Sequence, residues 1–117
     1  MAFDLDDEEL EFTRKANEKL KRAIIAREKL IELNFNVISL GFDFWIEAIE
    51  YTQGIKKFDM EDIYRFLAKE NKTTRDKVER AMRISLYTAK KTIMEKTGYK
   101  QPLTTKVVLR MLNLRII

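Results

Sequence analysis

The residues best placed to do chemistry lie between Tyr64 and Arg83, in the run YRFLAKENKTTRDKVERAMR. Arg75, Asp76, Lys77, Glu79, Arg80 and Arg83 crowd this stretch, and the apolar Val78 and the small Ala81 stand among them. On a helix Arg80 falls about 200° from Val78, so charged and packing side chains take opposite faces. An arginine held this way can donate two parallel hydrogen bonds to guanine, a pairing that discriminates by about 1–3 kcal/mol. Glu79 can accept from a cytosine amino group or orient a neighbouring arginine. Lysines act differently. Lys69, Lys72, Lys77, Lys90 and Lys91 suit phosphate oxygens, where they add affinity without choosing sequence.

A charged face of this kind needs a second helix behind it. Ala68 supplies a small residue where two helices approach, and Lys72 falls at the turn. Thr73 and Thr74 can start the next helix, which Val78 and Ala81 pack back onto the first. This is the grammar of a helix-turn-helix, whose second helix enters the major groove. Two positions depart from it: the turn often holds glycine and here holds Lys72, and the preceding position is Asn71 instead of an apolar residue.

The rest of the chain reads as helices. Residues 5 to 33 form one long helix, capped by Asp4 or Asp6, with the acidic cluster at the positive end of its dipole. Leu10, Ala16, Leu20, Ile24 and Ile31 make an apolar stripe, with Ala23 and Leu30 beside it. Asn17 and Arg27 interrupt that seam. The stripe is therefore expected to dock on the domain, with dimerisation as its alternative use. Asn34 and Asn36 mark a turn. A second helix, Leu40 to Gln53, buries Phe42, Trp45, Ile46 and Ile49 at i, i+3, i+4 and i+7, and Gly54 stops it. Asp59 caps a third helix running to Glu70, with Ile63, Phe66 and Leu67 inward.

The fourth helix is expected from Arg75 to Lys96. Val78, Ala81, Met82, Ser85, Ala89 and Ile93 line its inner face, and Arg80, Arg83, Tyr87 and Lys90 share an outer stripe. Thr97-Gly98 ends it and Pro102 marks a loop. Thr104 or Thr105 caps a last helix with Val107, Val108, Met111 and Leu112 inward. The fold class is all-α, a compact bundle of about five to six helices with a helix-turn-helix. An acidic helical extension, residues 1–17, precedes the domain at 18–117.

Composition narrows the function. The chain has 117 residues, 45% of them apolar, enough for one domain with a real core. The sequence lacks a long apolar run, so no membrane span is expected, and its acidic start is unlike a signal peptide. Cysteine is absent, which excludes disulfides and thiolate metal sites and suits a reducing cytoplasm. Histidine is absent too, which removes the commonest general base and the commonest zinc ligand. No Gly-rich phosphate loop occurs, and the carboxylates at Asp59, Glu61 and Asp62 belong to a helix start. An enzyme is not expected, nor any cofactor or bound metal. Tyr51, Tyr64, Tyr87 and Tyr99 read as amphipathic packing residues.

Charge points to a polyanion. The first 12 residues hold Asp4, Asp6, Asp7, Glu8, Glu9 and Glu11 and no base. The remainder carries 23 basic and 13 acidic residues, a net +10, and residues 69–115 carry 13 against 4, a net +9. The positive charge thus gathers around and after the candidate recognition helix.

The segment Thr73 to Arg83, TTRDKVERAMR, closely resembles the C-terminal effector domain of the stage-zero sporulation response regulator, the master transcription factor of bacterial sporulation. A Thr-Thr turn followed by Val-Glu-Arg-Ala carries the likeness, here Val78, Glu79, Arg80 and Ala81, with a further Arg at Arg83. It extends to Gly41-Phe42, Glu47-Ala48-Ile49 and Ile63 through Ala68. More weakly it reaches Leu30 to Leu40 and Pro102 to Leu112, so that it covers residues 20–115. The resemblance implies an all-helical fold and binding in the major groove of bacterial promoters. It implies base contacts from Glu79 and Arg80, and additional or phosphate contacts from Lys77 and Arg83. Lys72, Thr74, Arg75 and Lys90 join the phosphate set by their charge or place.

Double-stranded DNA is therefore the expected partner of a stand-alone, sequence-specific regulator in the cytoplasm, associated with the nucleoid. The resembled family binds as head-to-tail pairs and touches the sigma subunit of RNA polymerase. A homodimer or head-to-tail pair and a sigma contact follow from that likeness. The family's receiver domain has no room before residue 20, so phosphorelay control is not expected. The segment between Ala89 and Pro102 looks shorter than in the family, a departure at the place of the family's dimer contact. The alternative function is a protein-interaction module or antagonist that binds a related regulator or RNA polymerase, its acidic N-terminus covering a basic face as a phosphate mimic.

Overall fold

The computed structural model describes residues 6–117. Six helices follow one another: α1 (Asp7–Glu32), α2 (Leu40–Thr52), α3 (Met60–Glu70), α4 (Arg75–Tyr87), α5 (Lys90–Thr97) and α6 (Thr105–Asn113). No strand occurs among the described residues. The all-α bundle expected from the apolar spacing is therefore what the chain forms.

Side-chain caps set the helix starts. Asp6 accepts from the Glu9 amide at 2.8 Å and Asp59 from that of Glu61 at 2.9 Å. Thr74 and Thr104 accept from Lys77 and Val107, each at 3.3 Å. Each bond satisfies an amide that the first helical turn leaves without a partner. Of the two residues expected to cap α1, Asp6 does so, and Asp4 lies outside the described residues.

α2 is the axis of the core. Phe42, Phe44, Trp45, Ala48 and Thr52 are all buried, so more than one face is covered. Around them close Leu30 and Leu33 from α1 and its end, Ile63, Tyr64 and Leu67 from α3, Val78, Met82 and Leu86 from α4, and Val108 and Leu109 from α6. Phe35 meets Trp45 edge to face, with ring centroids 5.0 Å apart. The Trp45 indole donates to the Met82 carbonyl at 2.9 Å inside this core. Phe66 differs from its expected inward place: it is half exposed and leans on Tyr51, with centroids 4.5 Å apart.

Two expectations are corrected. First, the helix expected from Arg75 to Lys96 is two helices, broken at Thr88-Ala89. The α1–α2 loop is the cause. The Asn36 amide donates to the Ser85 carbonyl at 3.2 Å, and the Thr88 hydroxyl donates to the Asn34 carbonyl at 2.7 Å. The chain tightens there, with the Ala89 amide bonded to the Leu86 carbonyl at 2.8 Å. α5 then starts at Lys90.

Second, the apolar stripe of α1 does not dock on the domain. Ala26 and Leu30 are the buried residues of this helix. Leu10, Leu20, Ile24 and Ile31 stay in solvent, 52%, 59%, 47% and 46% exposed. The N-terminal half of α1 stands clear of the core, which stretches the molecule to 57 × 31 × 29 Å. Its radius of gyration is 16.2 Å, against about 13 Å for a compact chain of this length. Arg22 anchors the docked half to Glu50 of α2 at 2.8 Å, and Lys96 of α5 reaches Glu32 at 2.8 Å. No helix among the described residues is long and apolar enough to cross a membrane.

Candidate nucleic-acid interface

The site is built on α3, the turn Asn71–Thr74 and α4. Lys72 adopts left-handed backbone, φ 52°. That conformation lets the Thr73 amide reach the Ala68 carbonyl at 2.9 Å and the Lys72 amide reach that of Lys69 at 3.4 Å. The pair of bonds closes the carbonyl end of α3 and reverses the chain. Asn71 assists, its side-chain amide donating to the Leu67 carbonyl at 2.8 Å and to Glu47 of α2 at 3.0 Å. The two departures from the turn pattern thus have local roles: Asn71 is a polar fastener, and Lys72 occupies the backbone state that glycine adopts most easily.

α4 then seats one face and frees the other. Val78, Met82 and Ser85 are fully buried and Leu86 nearly so. Gly41 lies against the Ala81 carbonyl so closely that a side chain there would overlap it, and Met82 N would stand 3.0 Å from the added carbon. α2 and α4 are in near backbone contact at this point. On the far side Asp76, Lys77, Arg80, Arg83 and Tyr87 are exposed, as are Lys72 and Thr74 at the turn. Among the described residues no carboxylate is in ion-pair reach of Lys72, Lys77 or Arg80.

The structure redistributes several of the expected roles. Glu79 is partly buried at its stem and reaches Arg83 at 3.3 Å, one turn on. It is therefore placed to orient that arginine. Thr74 is exposed, and its oxygen is engaged as the α4 cap. Lys90 does not continue the α4 stripe, because it begins α5 beyond the break and is half buried. Tyr87 is 76% exposed and so departs from the packing role expected of it.

Arg75 is the clearest departure. Its guanidinium turns back from the free face to α3, where Nε lies 3.0 and 3.1 Å from the two oxygens of Glu61 and Nη2 completes the fork. It stacks over Tyr64, 4.9 Å from the ring centroid, and touches Asp76 at 3.2 Å. The paired guanidinium holds the Glu61 carboxyl below the usual carboxylate range, since an adjacent cation favours the charged form. Burial pushes the Tyr64 hydroxyl above its ordinary value. Arg75 is thus a clamp between α3 and α4, not a group free to meet phosphate. Reading the sequence alone misses this, because Glu61 and Arg75 are 14 residues apart with no local pattern joining them.

What remains on the free side is a short helix bearing Lys77, Arg80 and Arg83, flanked by Lys72, with Val78 and Met82 fixing its rotation. Such a face can donate hydrogen bonds to base edges and phosphates together. No family model matches this chain, and no curated protein or solved structure proved similar to it.

Proposed function

We propose that this protein is a sequence-specific double-stranded-DNA-binding regulator of bacterial transcription, working in the cytoplasm at the nucleoid. In this reading α3, the turn and α4 act as a helix-turn-helix and α4 enters the major groove. One observation carries it: Arg80 is exposed and unpaired on the side of α4 opposite the fully buried Val78. An unpaired arginine on a rigid helix retains all its donors for a guanine edge. Arg83, oriented by Glu79, and Lys72 and Lys77 supply the surrounding contacts, and the net +9 of residues 69–115 supplies the long-range attraction. The likeness of Thr73–Arg83 to the sporulation regulator supports the same assignment and suggests pairing on DNA and a sigma-subunit contact. The protein acts by binding and has no catalytic role or cofactor.

The test is a gel-shift series across salt, on DNA selected for binding from random fragments. Arg80→Ala should weaken the selected site and leave random DNA nearly unchanged. Equal losses on both would remove base readout from the proposal.

A second reading is favoured by the projecting half of α1. Its exposed acidic residues and Phe12, 75% exposed, could engage a related regulator or RNA polymerase instead of DNA. Removing residues 1–12 separates the two. If the acidic segment covers the basic face as a phosphate mimic, DNA affinity at low salt rises; unchanged affinity excludes the mimic.

A further inference from the structure

The exposed stripe of α1 has a stricter order than its composition suggests. Leu10, Thr13, Asn17, Leu20, Ile24, Arg27 and Ile31 are spaced alternately by three and four residues. This is the spacing of a coiled-coil seam. Leu10, Leu20, Ile24 and Ile31 are the apolar members, and each is about half exposed. Among the described residues the domain leaves them about half open, since α1 docks through Ala26 and Leu30 on a different face. We propose that a second copy of this chain covers the stripe, by antiparallel pairing of the two α1 helices about a two-fold axis near Leu20 and Ile24.

The direction follows from charge. A parallel pair would stack the acidic tips, Asp6, Asp7, Glu8, Glu9 and Glu11, on one another and set Arg27 against Arg27 in the seam. Both contacts repel. The antiparallel pair separates the two tips, carries each to the other copy's uncharged α1–α2 loop, and takes Arg27 away from its own symmetry mate. Within the seam Ile24 meets Leu20 of the other copy, and Thr13 meets Ile31. Arg27, held over its own Phe42 ring at 5.6 Å, meets Asn17, so the polar interruptions partner each other. Arg14, paired in the monomer with Glu11 and Glu18, and Glu28 flank the seam at matching positions and form two cross-pairs by symmetry, against one like-charge Lys21–Lys21 contact at the axis. The first turn of each helix overhangs the other copy's α1–α2 loop, where Val37 and Ile38 are exposed.

The absence of cysteine makes the test clean. Thr13→Cys and Ile31→Cys chains, mixed and oxidised without DNA, should form the mixed disulfide, and Thr13→Cys alone should stay uncrosslinked. In the antiparallel pair its two copies lie roughly 27 Å apart. Equilibrium sedimentation of the unmodified chain should approach twice the 14.0 kDa monomer mass as concentration rises. Ile24→Glu, at an exposed position, should keep the helical spectrum and melting temperature and weaken association at least tenfold. A 14.0 kDa mass at every concentration overturns the proposal, as does a Thr13–Thr13 crosslink. Because DNA is absent, neither result depends on the regulator reading.

Discussion

Glu61 and Arg75 join α3 to α4 across the turn: one carboxylate accepts from both Nε and Nη2 of one guanidinium, at a separation of 14 residues. The fork fixes the first turn of α4, the part of the helix nearest the proposed DNA, relative to the start of α3. Tyr64 lies beneath the guanidinium and limits the rotamers open to it. The face proposed to meet DNA is thus aimed by a pair whose own groups are spent on each other.

That pair makes stability depend on pH. The Glu61 carboxyl titrates below its ordinary value because Arg75 holds it charged. Its contribution is therefore full above the unfolded-chain value, about 4.3, and is lost as pH falls through the lower folded value. Glu61→Gln removes it at every pH. Urea midpoints measured from neutral pH downward should show a gap between wild type and Glu61→Gln that closes on acidification. Glu11, Glu32 and Glu50 are also held low by their basic partners, so the wild-type slope has other sources; the difference between the two proteins isolates Glu61.

Arg80 and Lys77 should separate specificity from affinity. Arg80→Ala should cost about 1–3 kcal/mol on the selected site and relax one base position. Lys77→Ala, and equally Lys72→Ala, should weaken selected and random DNA alike and reduce the salt slope by about 1. All three residues are exposed, so the melting temperature should hardly move. Arg75→Ala should behave oppositely, lowering the melting temperature while leaving the salt slope nearly unaltered. Parallel gel shifts and thermal melts check the contrast.

Gly41 sets the distance between α2 and α4. A Cβ there would overlap the Ala81 carbonyl, which is backbone and cannot swing aside. Gly41→Ala should therefore push the helices apart and cost about 1–3 kcal/mol, the usual range for overpacking. The strain falls beside the Trp45–Met82 hydrogen bond and directly behind Arg80. DNA binding should drop with stability although residue 41 lies on the buried side of α4, away from the face proposed to meet DNA. Chemical denaturation together with tryptophan fluorescence, which reports on Trp45 alone, would follow both the cost and its location.

Periodicity made the inner face of α4 legible. Val78, Met82 and Ser85 repeat at helical spacing and are buried. Capping residues gave the helix starts, because Asp59, Thr74 and Thr104 act on amides three or fewer residues away. What escaped was set by partners distant in sequence. The break at Thr88 depends on Asn34 and Asn36, and the capture of Arg75 depends on Glu61. The α1 stripe shows a different limit. A period shows that a helix has an apolar face, but what covers that face depends on where the helix docks. Here Ala26 and Leu30 took the core contact and the more regular stripe stayed in solvent.

Lys72 offers a way to trade binding against stability at one position. Its φ of 52° brings the side chain into the crowding that makes left-handed backbone unfavourable for L-residues, at about 1–2 kcal/mol. Glycine escapes that crowding but gains more freedom in the unfolded chain. The relief exceeds the entropy loss, so Lys72→Gly should stabilise the fold by up to about 1 kcal/mol. Lys72→Ala keeps the strained backbone and gains nothing. Both substitutions delete the same charge, so both should weaken DNA binding to a similar degree and with the same shallower salt dependence. Urea denaturation set beside gel shifts should thus show stability differing between the two variants and affinity matching. If Lys72→Gly bound much worse than Lys72→Ala, the turn's backbone rather than its charge would be the feature that DNA binding requires.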